Sequence, residues 1–150
     1  MNPGFVRQGG GISFYPENGT TYLQGSLGDS LKFIFIGRVF DLVSIDLAEY
    51  STVVPVSTVP FVGYRHDGSI VTTNMTPDGI IDGTGPLADF ETFYFDDRFT
   101  GLDRVEIPTY GWSLDNLFVR PIPEPSSGSL LFVGGLLFSI LRYAKRADYD

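Results

Sequence analysis

Four sets of residues in this 150-residue chain have types and spacings that could support chemistry. Glu91, Asp96 and Asp97 are close in sequence and could include a glycosidase acid pair, a chemistry that depends on two carboxyls standing about 5–10 Å apart. Asp96-Asp97 also reads as a solvated turn between FYF and RFTGL, and that reading is favoured. His66 lies in an HDG turn, where a solvated turn residue is favoured over a general base. Asp46, Asp115 and Asn116, with Asp41, sit among apolar strand residues. Oxygen ligands drawn from separate strands in this way suit a structural Ca²⁺. The competing role is acceptance of backbone hydrogen bonds at strand ends, because an ionised carboxylate buried without partners is costly. Tyr110 and Trp112, in PTYGW, offer flat apolar faces with polar tips that can stack on a sugar ring. Trp112 directly precedes a strand and also reads as a plug for the core, and the core reading leads.

The familiar catalytic signatures are missing. There is no G-x-S-x-G, no P-loop, no H-E-x-x-H and no Cys, and PDGIIDGTG does not have the spacing of a D-x-D-x-D-G calcium loop. The expectation is a protein that is not an enzyme, with no cofactor beyond that candidate Ca²⁺; a hydrolase is the least favoured alternative. The net charge of −8 belongs to residues 1–123, which carry 15 acidic and 7 basic side chains. Such a surface repels phosphate backbones and argues against nucleic acid as a partner.

The elements that must position these residues are strands. TTYLQGS, LKFIFI, FDLVSIDLAEY, PFVGYR, SIVTTNM, FETFYF, RVEI and SLDNLFV show period-2 or β-rich character. In LKFIFI, Leu31, Phe33 and Phe35 face one way and Lys32, Ile34 and Ile36 the other, which suggests a strand covered on much of both faces. Asn18-Gly19, Asp67-Gly68, Asp78-Gly79 and Asp82-Gly83 supply turn chemistry between runs, and YRHDGSIV is the clearest hairpin. No helical stripe of useful length occurs before residue 128. The pattern predicts an all-β, jelly-roll-like antiparallel β-sandwich over residues 1–119, then a proline linker over 120–128 and a single C-terminal apolar helix with a basic cluster over 129–146. At 43% hydrophobic and 15% aromatic, a chain of this length can bury a real core.

The linker RPIPEPSSG favours an extended path. Behind it, Pro125 to Leu141 carries no charge, and 17 helical residues span about 25 Å against a hydrocarbon core of roughly 30 Å. Leu130, Leu131, Phe132, Leu136, Leu137, Phe138, Ile140 and Leu141 would form the anchor, and Gly134 and Gly135 are ordinary within a membrane helix. Arg142, Lys145 and Arg146 mark a cytoplasmic side, and Glu124 marks the opposite boundary. The alternative is a buried helix packed on the sandwich.

Pro123-Glu124-Pro125, the Ser/Gly spacer, the short apolar run and the terminal basic cluster together resemble the PEP-CTERM protein-sorting signal of exported proteins in Gram-negative bacteria. FDLVSIDLAEY, PFVGYRHDGSIV, ADFETFYF and SLDNLFVRPIPEPS are similar to stretches common in the ectodomains that precede such tails. The resemblance implies recognition by exosortase, an integral-membrane enzyme, and processing near Pro123–Pro125. It implies a chain anchored in the membrane before processing, then a place in the cell envelope, at the surface or outside it, in the company of exopolysaccharide. A carbohydrate-binding module using Tyr110 and Trp112 is the alternative function. Relatives carry a secretory signal peptide and usually a first strand or two ahead of the NGT-type turn, whereas MNPGFVRQGG shows no such signal; the expectation is that Met1 is a misassigned or truncated start.

Overall fold

The computed structural model describes residues 5–8, 14–26, 30–54, 58–81 and 89–123. Nine strands follow in chain order: β1 (Phe5–Gln8), β2 (Thr21–Gly25), β3 (Leu31–Ile34), β4 (Phe40–Glu49), β5 (Val59–Arg65), β6 (Ile70–Met75), β7 (Glu91–Tyr94), β8 (Leu102–Ile107) and β9 (Trp112–Pro121). Among the described residues the one helical element is a 3-10 turn, Asp97–Phe99. β2 to β9 fall on the eight runs expected from the sequence, and β1 is additional, added to the edge of β2 by backbone pairing from Phe5↔Gln24 to Gln8↔Thr21.

Every pairing is antiparallel. One run of neighbours is β1-β2-β9-β4-β7 and the other is β3-β8-β5-β6; the single pair Phe40↔Leu102 links them into one connected sheet. The core draws on both runs. Phe40, Leu42, Ile45, Leu47, Trp112 and Leu114 come from the first, and Val59, Phe61, Met75, Leu102, Val105 and Ile107 from the second, so the arrangement is β-sandwich-like. Burying each of these larger side chains contributes about 1.5–3 kcal/mol. Phe95 bridges the layers with its ring centroid 5.1 Å from Phe61 and 4.9 Å from Phe99.

The two longest strands, β4 and β9, do not keep one phase. In β4 the members of the apolar core are Phe40 and Leu42, then Ile45 and Leu47; in β9 they are Trp112 and Leu114, after which Leu117 and Val119 pack on the core. Register shifts lie between Leu42 and Ser44 and between Ser44 and Asp46. The first inserts Val43 into β4. The second leaves Asn116 and Leu117 of β9 facing Ile45 alone, with Asn116 at φ +47°. An inserted residue flips the side to which later residues point, and these two bulges return both strands to the core together.

LKFIFI departs from expectation. Leu31, Phe33 and Phe35 pack on the core, but Ile34 and Ile36 are 58% and 93% exposed. Among the described strands β3 pairs with β8 alone; its one face meets the core and the other meets water, as is usual for antiparallel sheets. The sandwich also extends past Val119: Arg120 pairs with Asp41 and Pro121 with Phe40, so the first residues assigned to the linker finish β9. Proline is tolerated there because it stands at the strand's end. Among the described residues no helix is long and apolar enough to cross a membrane. Residues 124–150, which include Glu124, Pro125, the apolar run and the basic cluster, lie outside the described residues.

Candidate functional site

Asp46, Asp115 and Asn116 do come together, and the β9 bulge is the reason. Asp46 lies in the middle of its sheet, opposite Asp115 on one side and Thr92 on the other. Two carboxylates directly opposite repel each other, so the pair persists only with donors around it. Thr92 Oγ1 donates to Asp46 Oδ1 (2.6 Å) and Asn116 Nδ2 to Asp46 Oδ2 (2.8 Å). The Asn116 backbone N–H donates to Asp115 Oδ1 (2.8 Å), while Thr20 Oγ1 (2.7 Å) and Asn18 Nδ2 donate to Asp115 Oδ2. The left-handed backbone at Asn116, a conformation that Asn adopts more readily than most residues, aims its main-chain and side-chain donors at two different carboxylates. All four oxygens therefore accept a hydrogen bond, and the group ties the Asn18–Thr20 turn to β4, β7 and β9. The residues expected as Ca²⁺ ligands thus form a donor–acceptor network with Asn18, Thr20 and Thr92. Asp41 is not part of it: its Oδ1 accepts from the Gly101 N–H (3.1 Å), and it lies five residues, roughly 16 Å of strand, from Asp46.

The aromatic loop divides in two. Trp112 is 2% exposed, its Nε1 donates to the Thr109 carbonyl (2.8 Å), and its ring covers Gly25 across the β2–β9 ladder. Its ring is packed in the core, the reading the sequence favours, rather than open to a sugar as the stacking alternative requires. Tyr110 is 48% exposed. It lines a shallow cavity of about 120 Å³ with Gly25, Tyr50, Val54 and Gly111. Tyr50, unremarked in the sequence, is held by the buried Gln24, whose Nε2 donates to the Tyr50 carbonyl (2.7 Å).

The remaining candidates separate. Glu91 opens β7, while Asp96 and Asp97 lie five and six residues on, beyond its end at the 3-10 turn. Asp96 instead caps the 3-10 turn by accepting from the Arg98 N–H (2.9 Å) and meets the Arg98 side chain at 2.8 Å. Those hydrogen bonds and the guanidinium charge hold its carboxyl below the usual range. His66 is exposed in the β5–β6 turn with Nδ1 3.0 Å from Asp103 Oδ1. Of the sorting motif, Pro123 is described: it is exposed, and the preceding Ile122 N–H donates to the Val39 carbonyl (2.9 Å). Comparison with protein families, with curated proteins and with solved structures finds no match for this chain.

Proposed function

We propose that this chain is an exported, non-enzymatic domain of the cell envelope or extracellular matrix whose tail is a sorting signal read by exosortase. The observation that carries the reading is the place of Pro123 just past the described strand pairing. Among the described residues β9 is the last strand, its ladder ends at Pro121, and Pro123 is exposed, so the described pairing stops two residues short of the Pro-Glu-Pro segment. A pre-extended proline segment suits a processing enzyme, and the carboxylate of Glu124 favours the water side of an anchor formed by the apolar run behind it. The domain itself we assign to the jelly-roll class. Its runs contain β2-β9-β4-β7 and β3-β8-β5-β6, and from β2 to β9 the chain changes run at every connection except the β5–β6 hairpin.

The test is to fuse a secretory leader ahead of residue 1 and express the chain in an exosortase-bearing host and in the same host without that enzyme. Intact mass is expected to show a C-terminus near Pro123–Pro125 only when the enzyme is present, and deletion of those three residues is expected to leave the full-length chain in the membrane. An intact tail in both hosts would sink the proposal.

A second reading is compatible with the first and is favoured by the placement of Tyr110 beside Tyr50. The cavity there is too small to enclose an oligosaccharide but can cover one face of a sugar ring. With Trp112 buried, binding would rest on Tyr110. Tyr110→Ala is expected to lower retention on exopolysaccharide from an exosortase-bearing species by about tenfold, the loss of roughly 1.4 kcal/mol, with unchanged melting. Equal retention of the two proteins would remove this reading.

A further inference from the structure

At the other end of the β4–β7 pair stands a group that neither reading uses. Glu49, Asp78 and Glu91 each bring one carboxylate oxygen within 4.8 Å of the other two. Glu49 is the last residue of β4, Glu91 opens β7 opposite Leu47, and Asp78 belongs to the PDG turn after β6. Gly79, at φ +87°, turns that segment over the strand ends. The Gly79 N–H donates to Glu49 Oε1, the Asp78 N–H to Glu91 Oε1 (2.6 Å), and the Ile80 N–H to Asp78 Oδ1 (2.8 Å). Each carboxylate thus has one oxygen engaged by a backbone donor.

The second oxygen of Glu49 is the informative atom. Glu49 is 4% exposed, and its Oε2 is buried with no hydrogen-bond partner. The ion pairs among the described residues involve Asp41, Asp96, Asp103 and Glu106, so none brings a cationic side chain to this group. The following segment, DGTGPLA at 82–88, contains no basic residue. Three carboxylates, one of them buried with an unpartnered oxygen, converge with no cationic partner among the described residues.

We propose that Glu49, Asp78 and Glu91 form a binding site for a hard divalent cation, Ca²⁺ in particular, that fastens the turn after β6 onto the ends of β4 and β7. The donors are all oxygens, which disfavours zinc. Ligands of one Ca²⁺ lie about 2.3–2.6 Å from it, so opposite ligands stand up to about 5 Å apart, and three oxygens within 4.8 Å of one another can share one such ion. Mg²⁺ demands a near-ideal octahedron and tends to keep several of its waters, whereas Ca²⁺ accepts an irregular set of carboxylates such as this one. Burial raises the Glu49 carboxyl above its ordinary value and the charges of Asp78 and Glu91 add to the rise; a bound dication offsets both.

The full chain, in detergent and stripped with a chelator, would be titrated calorimetrically with CaCl₂ and separately with MgCl₂, and its melting followed. The expected result is one equivalent of Ca²⁺ bound more tightly than Mg²⁺, with a raised melting temperature. Glu49→Gln and Glu91→Gln are each expected to weaken binding at least tenfold. Asp78→Asn, at an exposed turn position, should do the same without lowering melting in chelator, which separates ligand loss from misfolding. Absence of both heat and a melting shift up to about 10 mM Ca²⁺, well above the range of extracellular calcium modules, overturns the proposal. So does binding that survives Glu49→Gln but is lost in Asp115→Asn, which would locate the ion at the β4–β9 network.

Discussion

Trp112→Ala is expected to remove about 3–5 kcal/mol of folding stability, the usual range for deleting a large buried aromatic and a large share of the roughly 5–15 kcal/mol such a domain has. The side chain is 2% exposed and belongs to the core cluster, and its indole N–H is satisfied by the Thr109 carbonyl, so truncation leaves both a void and an orphaned acceptor. Its bed is Gly25. A Cβ built there would lie 2.6 Å from Trp112 Cζ2, closer than real contacts allow, and the indole cannot move away without giving up its hydrogen bond. Gly25→Ala is therefore expected to destabilise the folded state by about 1–3 kcal/mol through overpacking. In the Trp112→Ala background the same change should be close to neutral, because the added methyl then enters empty space; the difference is a coupling energy that a double-mutant cycle isolates. Urea unfolding followed by circular dichroism measures all four proteins. A Trp112→Ala loss below about 1 kcal/mol would return the indole to the status of a surface platform.

That result bears on how much of the molecule was legible in its sequence. Strand positions were legible because their signals are local: alternation within LKFIFI and FDLVSIDLAEY, and turn dipeptides such as Asp67-Gly68, where Gly68 takes φ +84° and the Asp67 carboxylate accepts from the Ser69 N–H (2.8 Å). Asp46, Asp115 and Asn116 stood out for a similar reason, as polar residues in apolar strands. What they do was not legible, since their partners come from far along the chain: Thr92 is 46 residues from Asp46 and Asn18 is 97 from Asp115. Nor could SLDNLFV reveal that Asn116 would be a bulge. Strict alternation from Leu114 would aim Phe118 at the core, whereas Phe118 is 57% exposed and Leu117 and Val119 pack inward. Glu49 gave no signal at all. It reads as the polar end of an apolar strand, and the Gly79 N–H that meets its carboxylate comes from the turn after β6, 30 residues later.

Glu49→Gln is expected to stabilise the chelator-treated protein at pH 7 by about 1–3 kcal/mol, the range for relieving a buried unsatisfied polar group, even as it weakens Ca²⁺ binding. The substituted side chain keeps an oxygen to accept from the Gly79 N–H and replaces the unpartnered Oε2 with an amide that can donate to the carboxylates of Asp78 or Glu91. It also removes one of three like charges. Because burial holds the Glu49 carboxyl above the usual 4.5, the folded protein keeps a proton over a pH window in which the unfolded chain has lost it. Without metal, the stabilisation that Glu49 gives when protonated is therefore complete below 4.5 and is lost as pH rises through its folded value. The advantage of Glu49→Gln over the natural protein should accordingly be largest near neutrality and shrink toward pH 4, whereas saturating Ca²⁺ at pH 7 should reverse the order by favouring the ionised carboxylate. Melting of both proteins across that pH range, in chelator and in Ca²⁺, reads every part of this. A chelator-treated variant that melts lower than the natural protein at pH 7 would mean that the buried oxygen has a partner and is not waiting for an ion.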